Sequence, residues 1–244
     1  MDLRRQADSL RAMRQWEALR ETLVERCGAR VEMVRAHRDL PDMCFAANAG
    51  LVRGRTFIPA RFRHPERAGE EPRFTAWFRR RGYRIRPLPE GECFEGEGDG
   101  LFAGNRLFLG YFERTDLVTH QRIGEMLGAR AVSLELVDPR FYHLDTCFAP
   151  FGPNSALYYP GAFTLYGRKV LTANLPDLVP VSEADARHFG CNAICIGRNV
   201  ILCAPARQLA RTLEKRGFHV FPLDFSEFIK AGGAAKCLVL RLES

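Results

Sequence analysis

The chain has 244 residues, of which 46% are hydrophobic and 27% charged, and its formal net charge is +7. This length fits one large domain or two small ones, and no linker interrupts it, so we expect a single domain over residues 1–244. No apolar run approaches the roughly 20 residues of a membrane span. The N-terminus lacks an apolar signal core, so the sequence predicts a cytoplasmic protein without a membrane partner.

The basic charge and the cysteines exclude two further classes. Arginines are scattered among glutamates, and their one run, Arg79–Arg81, suits the end of a helix, so we expect no nucleic-acid partner. A basic cleft for a small carboxylate explains the charge equally well. The eight cysteines are expected to be reduced. Cys191 and Cys195 are spaced for a metal pair, but no second pair follows, so we expect neither metal nor cofactor.

The chain begins with one predicted amphipathic helix over residues 2–27, which ends at Gly28. A strand is predicted for Val31–Val34. The helix has one apolar face, made of Leu10, Met13, Trp16, Leu19, Leu23 and Val24.

A pattern of helix end, glycine and strand then recurs along the chain, with glycines at positions 28, 82, 128 and 217. The last interval is about twice the others, which predicts one more unit with a weaker signature, through Glu183–Gly190. Between the occurrences of this pattern lie three predicted hairpins, at 50–59, 100–110 and 192–202. The repeat therefore predicts about five hairpin–helix–strand units of roughly 45–55 residues that close into a ring.

Polar residues whose side chains could take part in catalysis share one position in this repeat, directly after the closing strand of a unit. In a pseudosymmetric ring such positions converge on the axis, so we expect these side chains to share one pocket. They are Asp42, Glu95, Glu97, Asp99, His143, Asp145 and Cys237. A cysteine, a histidine and an orienting acid make a nucleophilic constellation, and extra carboxylates favour a planar cation such as a guanidinium. Taken singly, His143 is better explained as a core histidine and the acidic motif as a solvated turn.

The stretch before Cys237 contains the paired glycines Gly232 and Gly233, which permit a close approach of backbone to ligand. Lys236 would place a positive charge beside the thiol and favour the thiolate. An apolar strand, Leu238–Leu240, is predicted to follow. The alternative is a buried, unreactive cysteine at the start of a core strand.

Five motifs in this order resemble the guanidine-modifying, or pentein, superfamily, which includes dimethylarginine dimethylaminohydrolases, arginine deiminases, arginine dihydrolases and amidinotransferases. The resemblance covers nearly the whole chain and implies an α/β propeller of five ββαβ units with its site on the axis. The motifs are Leu40–Gly50, Phe94–Asp99, Glu113–Thr115, His143–Asp145 and Gly232–Cys237.

The resemblance also implies catalytic roles. Cys237 would attack the guanidinium carbon, and His143 would protonate the departing amine and then activate water. Glu95 would orient His143. Relatives often carry the acid and the aspartate of this motif three residues apart, whereas Glu95 and Asp99 are four apart, so Glu97 is an alternative orienting acid.

The substrate-binding set implied by the resemblance is Asp42, Asn48, Arg67, Asp99, Arg114, Asp145 and Ala231. Asp42 and Asp145 would hold guanidinium nitrogens. Arg67 and Arg114 would hold the substrate carboxylate, a task that suits a bidentate donor. The carbonyl group of Ala231 would receive the substrate amine.

Two departures from the family pattern bear on substrate and pocket shape. Asn48 stands where dimethylarginine hydrolases and deiminases have a carboxylate, which resembles the arginine dihydrolase branch. Relatives usually begin with another strand, whereas this sequence begins on the helix, so that edge of the pocket is expected to be open or differently filled.

The leading hypothesis is a cysteine-dependent hydrolase of arginine or a methylated arginine, with this small guanidino compound as its partner. An amidinotransferase would share the covalent intermediate, and a non-catalytic guanidine-binding protein is the alternative from another class. The oligomeric state stays open, with a homodimer as one option.

Overall fold

The computed structural model describes residues 7–242 as a series of short helices and strands. The α-helices are α1 (Ser9–Glu21), α2 (Glu71–Arg80), α3 (Thr119–Leu127), α4 (Leu165–Asn174), α5 (Glu183–Arg187), α6 (Arg207–Lys215) and α7 (Ser226–Ile229). The strands are β1 (Gly50–Arg53), β2 (Thr56–Pro59), β3 (Arg84–Ile85), β4 (Gly100–Ala103), β5 (Arg106–Tyr111), β6 (Arg130–Glu135), β7 (Phe148–Gly152), β8 (Ser155–Tyr158), β9 (Asp177–Pro180), β10 (Ile194–Ile196), β11 (Asn199–Cys203) and β12 (His219–Leu223).

Within residues 7–242 the strands form four three-stranded sheets, ordered β1-β2-β3, β4-β5-β6, β7-β8-β9 and β10-β11-β12. In each sheet the first two strands form an antiparallel hairpin, and the third strand runs parallel to the middle one. A helix links the middle and third strands, because a parallel pair needs a crossover connection. The hairpins predicted at 50–59, 100–110 and 192–202 are confirmed.

The third unit corrects the predicted position of the weak repeat. It spans 148–180, whereas Glu183–Arg187 is a short helix that leads into β10. Helix α4 ends at Leu175 in an extended conformation, without the glycine that caps α3 at Gly128 with φ of 58°. The missing left-handed glycine explains why this unit escaped the glycine spacing.

Aromatic packing holds helices against sheets and joins adjacent units. Phe57 of β2 stacks on Phe78 of α2 with ring centroids 3.7 Å apart. Phe108 of β5 and Phe148 of β7 lie 5.2 Å apart and connect the second and third units. Such ring pairs contribute about 1 kcal/mol beyond the area that they bury.

Short 3₁₀ turns lie where the chain leaves one unit and enters the next, and they bring the polar motifs together. They are Ala46–Ala49, Gly96–Gly98, Leu144–Thr146 and Lys236–Leu238. The first contacts the second and the fourth, and the second contacts the third. The predicted convergence of these positions is therefore observed.

The remaining unit contains α1 but no sheet in the described residues. Two predicted strands, Val31–Val34 and Leu238–Leu240, are wrong: the first segment is irregular, and the second begins in a 3₁₀ turn. In each of the four sheets a middle strand pairs with both of its neighbours. The unit that contains α1 has no such middle strand within residues 7–242. A cavity of about 1030 Å³ lies there, with Leu19, Leu23, Val31, Val52, Ile194 and Leu240 in its lining.

Helix α1 buries only part of its predicted apolar face. Leu19 and Leu23 are buried, whereas Leu10 and Met13 are exposed. The buried polar residue Gln15 instead bonds Asp224 and Ser226, where α7 begins. After Glu21 the helix widens into a π-helical turn, Thr22–Arg26, and the first residues of the predicted helix, 2–6, lie outside the described part. No helix described in residues 7–242 is long and apolar enough to cross a bilayer.

Candidate active site

A buried acid–imidazole pair lies where the second and third units meet. Nε2 of His143 is 2.8 Å from Oε2 of Glu95, and both side chains are almost completely buried. Burial alone would raise the pKa of Glu95, but the hydrogen bond and charge of His143, with the charge of Arg114, lower it to about 2. Burial would lower the pKa of His143, but the carboxylates of Asp99 and Glu95 outweigh it and raise that pKa. The pair therefore favours an imidazolium beside a carboxylate.

Glycines allow the backbone to pass close to this pair. Gly96, directly after Glu95, has φ of 61°, and a Cβ there would lie 2.6 Å from backbone atoms of Gly50. A Cβ on Gly98 would lie 2.3 Å from Nδ2 of Asn48 and 3.2 Å from the ring of His143. The acidic motif therefore needs glycine at both places to reach the histidine.

Asp99 lies beneath the histidine and already holds other groups. Its carboxylate accepts hydrogen bonds from the hydroxyl of Thr115 at 2.7 Å and from the Leu144 N–H at 3.1 Å, and it lies 4.0 Å from His143. Burial raises the pKa of Asp99 to about 6. In this geometry Asp99 supports the backbone and ring of the histidine segment.

Cys237 faces Asp145, which follows His143 by two residues. The Cys237 sulfur lies 3.4 Å from Oδ2 of Asp145, and the thiol is 3% exposed. Burial and the Asp145 charge raise the pKa of Cys237 well above its usual value, and burial raises that of Asp145. The other carboxylate oxygen of Asp145 is buried without a hydrogen-bond partner among residues 7–242. Such an orphaned acceptor is costly in a folded protein and fits a site for a polar ligand.

Lys236 does not play the predicted part beside the thiol. Its ammonium group donates to Glu97 at 2.7 Å and to the Val239 carbonyl at 3.0 Å. Glu97 also accepts a hydrogen bond from the Arg241 N–H. The prediction that Lys236 favours the thiolate is wrong, because its charge is directed toward Glu97. Glu97 faces this lysine, and Glu95 faces the histidine.

Arg67 and Asn48 form a second buried cluster. The guanidinium of Arg67 pairs with both oxygens of Glu70, at 2.8 and 2.9 Å, and donates to Oδ1 of Asn48 at 2.9 Å and to the Asp42 carbonyl at 3.2 Å. It also lies over the ring of Phe62. Sequence reasoning missed Glu70, which balances the charge of Arg67. The Asp42 side chain is half-buried beside this cluster.

Arg114 and Tyr142 border the histidine on its other side. Arg114 donates to Glu95 at 3.1 Å, and its guanidinium lies 4.7 Å from the ring centre of Tyr142. The Tyr142 hydroxyl donates to the Gly232 carbonyl. This contact ties the histidine segment to the segment before Cys237, where Ala231 is half-buried.

Asn192 is a buried site residue that sequence reasoning missed. Its amide contacts the Cys237 sulfur and the Asp145 carbonyl, both at 3.1 Å. The available signal was its place two residues before β10, which matches that of Asn48 before β1. Within residues 7–242 no group of histidine, cysteine or acidic side chains is arranged to hold a metal ion.

Comparison with known proteins identifies the family. Residues 1–243 match the family described as N,N dimethylarginine dimethylhydrolase, eukaryotic. The chain is 45% identical over 236 residues to the bifunctional arginine dihydrolase/ornithine cyclodeaminase ArgZ of Synechocystis sp., covering 95% of this chain but 33% of that protein. It thus spans about one third of this relative's length.

A second relative matches over most of its length. The N(G),N(G)-dimethylarginine dimethylaminohydrolase of Mycobacterium tuberculosis is 42% identical, with 99% of this chain and 79% of that protein covered. The fold matches the N-terminal domain of cyanobacterial ArgZ, solved as a cysteine-to-serine variant bound to substrate. The TM-score is 0.93 at 43% identity, and the match covers 97% of this chain and 88% of that one. The chain therefore belongs to the dimethylarginine dimethylaminohydrolase family and has the pentein fold.

Proposed function

We propose that this chain is a hydrolase that acts on the guanidinium carbon of arginine or a methylated arginine through a covalent amidino-thioether on Cys237. One observation carries the proposal: the buried Cys237 thiol faces Asp145, whose other carboxylate oxygen has no partner among residues 7–242. The imidazole of His143, paired with Glu95, belongs to the same segment as Asp145. A cationic planar substrate would satisfy the orphaned oxygen and lie against the sulfur.

Substrate binding would depend first on the attraction between the cationic guanidinium group and the carboxylates of the site. Asp145 and Asp42 would accept hydrogen bonds from guanidinium nitrogens, and the Ala231 carbonyl would accept one from the substrate amine. Arg114, which is 20% exposed, is the better placed of the two arginines to hold the carboxylate. Arg67 is almost completely buried and already paired with Glu70, so it would position Asn48 and the Asp42 backbone.

The substrate would itself activate the thiol. Burial and the charge of Asp145 keep the pKa of Cys237 high, so the sulfur is protonated near neutral pH until a cation binds. A bound guanidinium brings a positive charge beside the sulfur and neutralises the effect of Asp145, which favours loss of the thiol proton to solvent. The thiolate then forms a C–S bond to the guanidinium carbon.

His143 would then move two protons in sequence. As an imidazolium it gives a proton to the departing nitrogen while the C–N bond breaks, which leaves the amidino-thioether on Cys237. The neutral imidazole next takes a proton from water, and the resulting hydroxide attacks the same carbon. The C–S bond breaks, the thiolate returns, and the product carries a ureido group. Glu95 would hold the imidazolium in place throughout.

We further propose that a second round of hydrolysis follows, so that arginine and two waters give ornithine, two ammonia and carbon dioxide. Asn48 supports this proposal, because its neutral amide can donate to a ureido oxygen that a carboxylate would repel. The ArgZ domain, which is named an arginine dihydrolase, has been solved as an asparagine-to-serine variant covalently bound to a reaction intermediate.

Product stoichiometry tests the proposal. The protein is incubated separately with L-arginine and with N-methylated arginines, and citrulline, ornithine, ammonia and methylamines are quantified. Ornithine with two ammonia per arginine is expected. Citrulline with one amine per substrate would support the proposed hydrolase activity but overturn the proposed second round of hydrolysis. An amidino group recovered on an added amine acceptor would make the protein an amidinotransferase, and no product from any substrate would overturn the hydrolase.

A further inference from the structure

Two groups donate toward the Cys237 sulfur: the backbone N–H of Ala234 and the side-chain amide of Asn192. Asn192 is fully buried, and its Nδ2 lies 3.1 Å from the sulfur. The carboxylate of Asp145, by contrast, is an acceptor at 3.4 Å. An acceptor stabilises the thiol, whereas a donor stabilises the thiolate, so the two kinds of group act in opposite directions.

The orientation of this amide is fixed by its other contacts. Oδ1 of Asn192 accepts hydrogen bonds from the N–H groups of Lys236 at 2.9 Å and of Cys237 at 3.3 Å. Turning the amide over would set its NH₂ group against these two N–H donors and leave that of Cys237 without an acceptor. Its NH₂ group therefore faces the sulfur and the Asp145 carbonyl, which it bonds at 3.1 Å.

The amide is also held rigidly. It spans the Asp145 backbone on one side and the Cys237 backbone on the other, so the nucleophile and the acid that faces it are fixed through one side chain. A donor fixed in a water-excluded site stabilises a developing charge without having to reorganise.

We propose that Asn192 is a catalytic residue that donates a hydrogen bond to the Cys237 thiolate. It stabilises the sulfur before attack and again when the C–S bond breaks and the thiolate leaves. This role rests on the proposed function, because it needs Cys237 to be the nucleophile. Its hydrogen bond supplies stabilisation of the thiolate that Lys236 does not, since that ammonium group is bound to Glu97.

Two substitutions separate this role from a purely structural one. Asn192→Asp keeps an oxygen to accept from the Lys236 and Cys237 N–H groups but removes the donor and adds a negative charge. Asn192→Ala removes the donor without adding charge. Asn199→Asp is the matched control, because it makes the same chemical change in β11, where the amide bonds the Arg26 carbonyl.

The readout is the pH dependence of Cys237 alkylation by iodoacetamide, measured by mass spectrometry on the peptide that carries this cysteine. We expect the profile of Asn192→Ala to move to higher pH by about one unit, which means about tenfold slower alkylation at any pH on the rising limb. Asn192→Asp should move it further, and Asn199→Asp should match the wild type. Thermal melting checks that each variant is folded.

A purely structural role predicts the opposite direction, because a loosened segment exposes the thiol and speeds alkylation. Profiles at or below the wild-type pH in both Asn192 variants would overturn the inference. This outcome is independent of turnover: a wild-type protein that hydrolyses no guanidine would sink the proposed function, whatever the alkylation profiles show.

Discussion

The sulfur of Cys237 lies 3.4 Å from a carboxylate oxygen of Asp145, so the proposed nucleophile faces an acidic side chain. This contact stabilises the thiol form, and a bound cation would reverse the effect. In the proposed mechanism the nucleophile therefore forms only when a cationic substrate is bound.

Replacing Asp145 should have opposite effects on thiol reactivity and on turnover. In Asp145→Asn the negative charge is gone, so the pKa of Cys237 falls and iodoacetamide alkylates it faster at pH 8, by about tenfold. Turnover of arginine should fall by at least about 100-fold, because the guanidinium loses its ionic partner. Asp138→Asn, which breaks an ion pair with Arg140, serves as the control for charge. Slower alkylation in Asp145→Asn would contradict this account.

Replacing Glu95 should displace the pH profile of catalysis. The carboxylates of Glu95 and Asp99 raise the pKa of His143 against the effect of burial. In Glu95→Gln one of the carboxylates that offset the effect of burial is gone, so the pKa of His143 falls. The limb of the kcat profile that requires the imidazolium then moves to lower pH. We expect kcat to fall by about 100-fold or more. Glu92→Gln, which removes an ion pair with Arg122, is the matched control. An unmoved profile would exclude Glu95 as the orienting acid.

Replacing Arg114 should separate carboxylate binding from chemistry. In Arg114→Ala we expect KM for arginine to rise by about tenfold or more, since a charge-assisted pair is lost. The effect on agmatine, which lacks the carboxylate, should be smaller. Steady-state kinetics on both substrates measure the difference. Equal losses on both would mean that Arg114 acts through Glu95, to which it donates at 3.1 Å.

Replacing Asn48 should change the product. In Asn48→Asp a carboxylate still attracts the guanidinium but repels the ureido oxygen of citrulline, so the second hydrolysis slows. We expect citrulline to accumulate from arginine where the wild type releases ornithine, measured by amino-acid analysis over time. The Asn199→Asp variant controls for the added charge. An unchanged ornithine yield would remove Asn48 from the choice between the two outcomes.

His120 should make the fold sensitive to acid. It is buried, bonds Ser133 at 2.8 Å, and burial lowers its pKa to about 4. Because the folded pKa lies below that of the unfolded chain, the unfolded state binds the proton first as pH falls. The contribution of His120 is complete above about pH 6.5 and is lost toward pH 4.

The His120→Gln variant tests this dependence by urea unfolding at pH 7 and pH 5. Wild-type protein should lose more free energy of unfolding between these pH values than the variant, by on the order of 1–2 kcal/mol. Equal losses in the two proteins would show that another group titrates.

The repeat made much of this site predictable. The spacing of capping glycines and hairpins predicted that His143, Glu95 and Cys237 occupy equivalent positions in a ring. In the structure His143 contacts Oε2 of Glu95, and Cys237 contacts Asp145. Which acid faces the histidine was not predictable from spacing. Two acids two residues apart differ only in the direction of their side chains, and the ion pair with Lys236 sets that of Glu97.

The errors arose where an element depends on a partner distant in sequence. Val31–Val34 has a strand-like pattern, but a strand needs a neighbour to bond, and residues 7–242 supply none there. Lys236 adjoins Cys237 in sequence, yet its long side chain reaches Glu97. Asn192 lies 45 residues from Cys237, so no local pattern could pair their side chains.

The most direct test of the covalent mechanism is the mass of Cys237 during turnover. The protein is mixed with excess L-arginine, quenched in acid at short times, digested and analysed by mass spectrometry, with Cys237→Ser in parallel. The account predicts that the peptide carrying Cys237 gains the mass of arginine less one ammonia and that the serine variant is inactive. Release of ammonia from arginine by Cys237→Ser at the wild-type rate, with no adduct on Cys237 in the wild type, would contradict it.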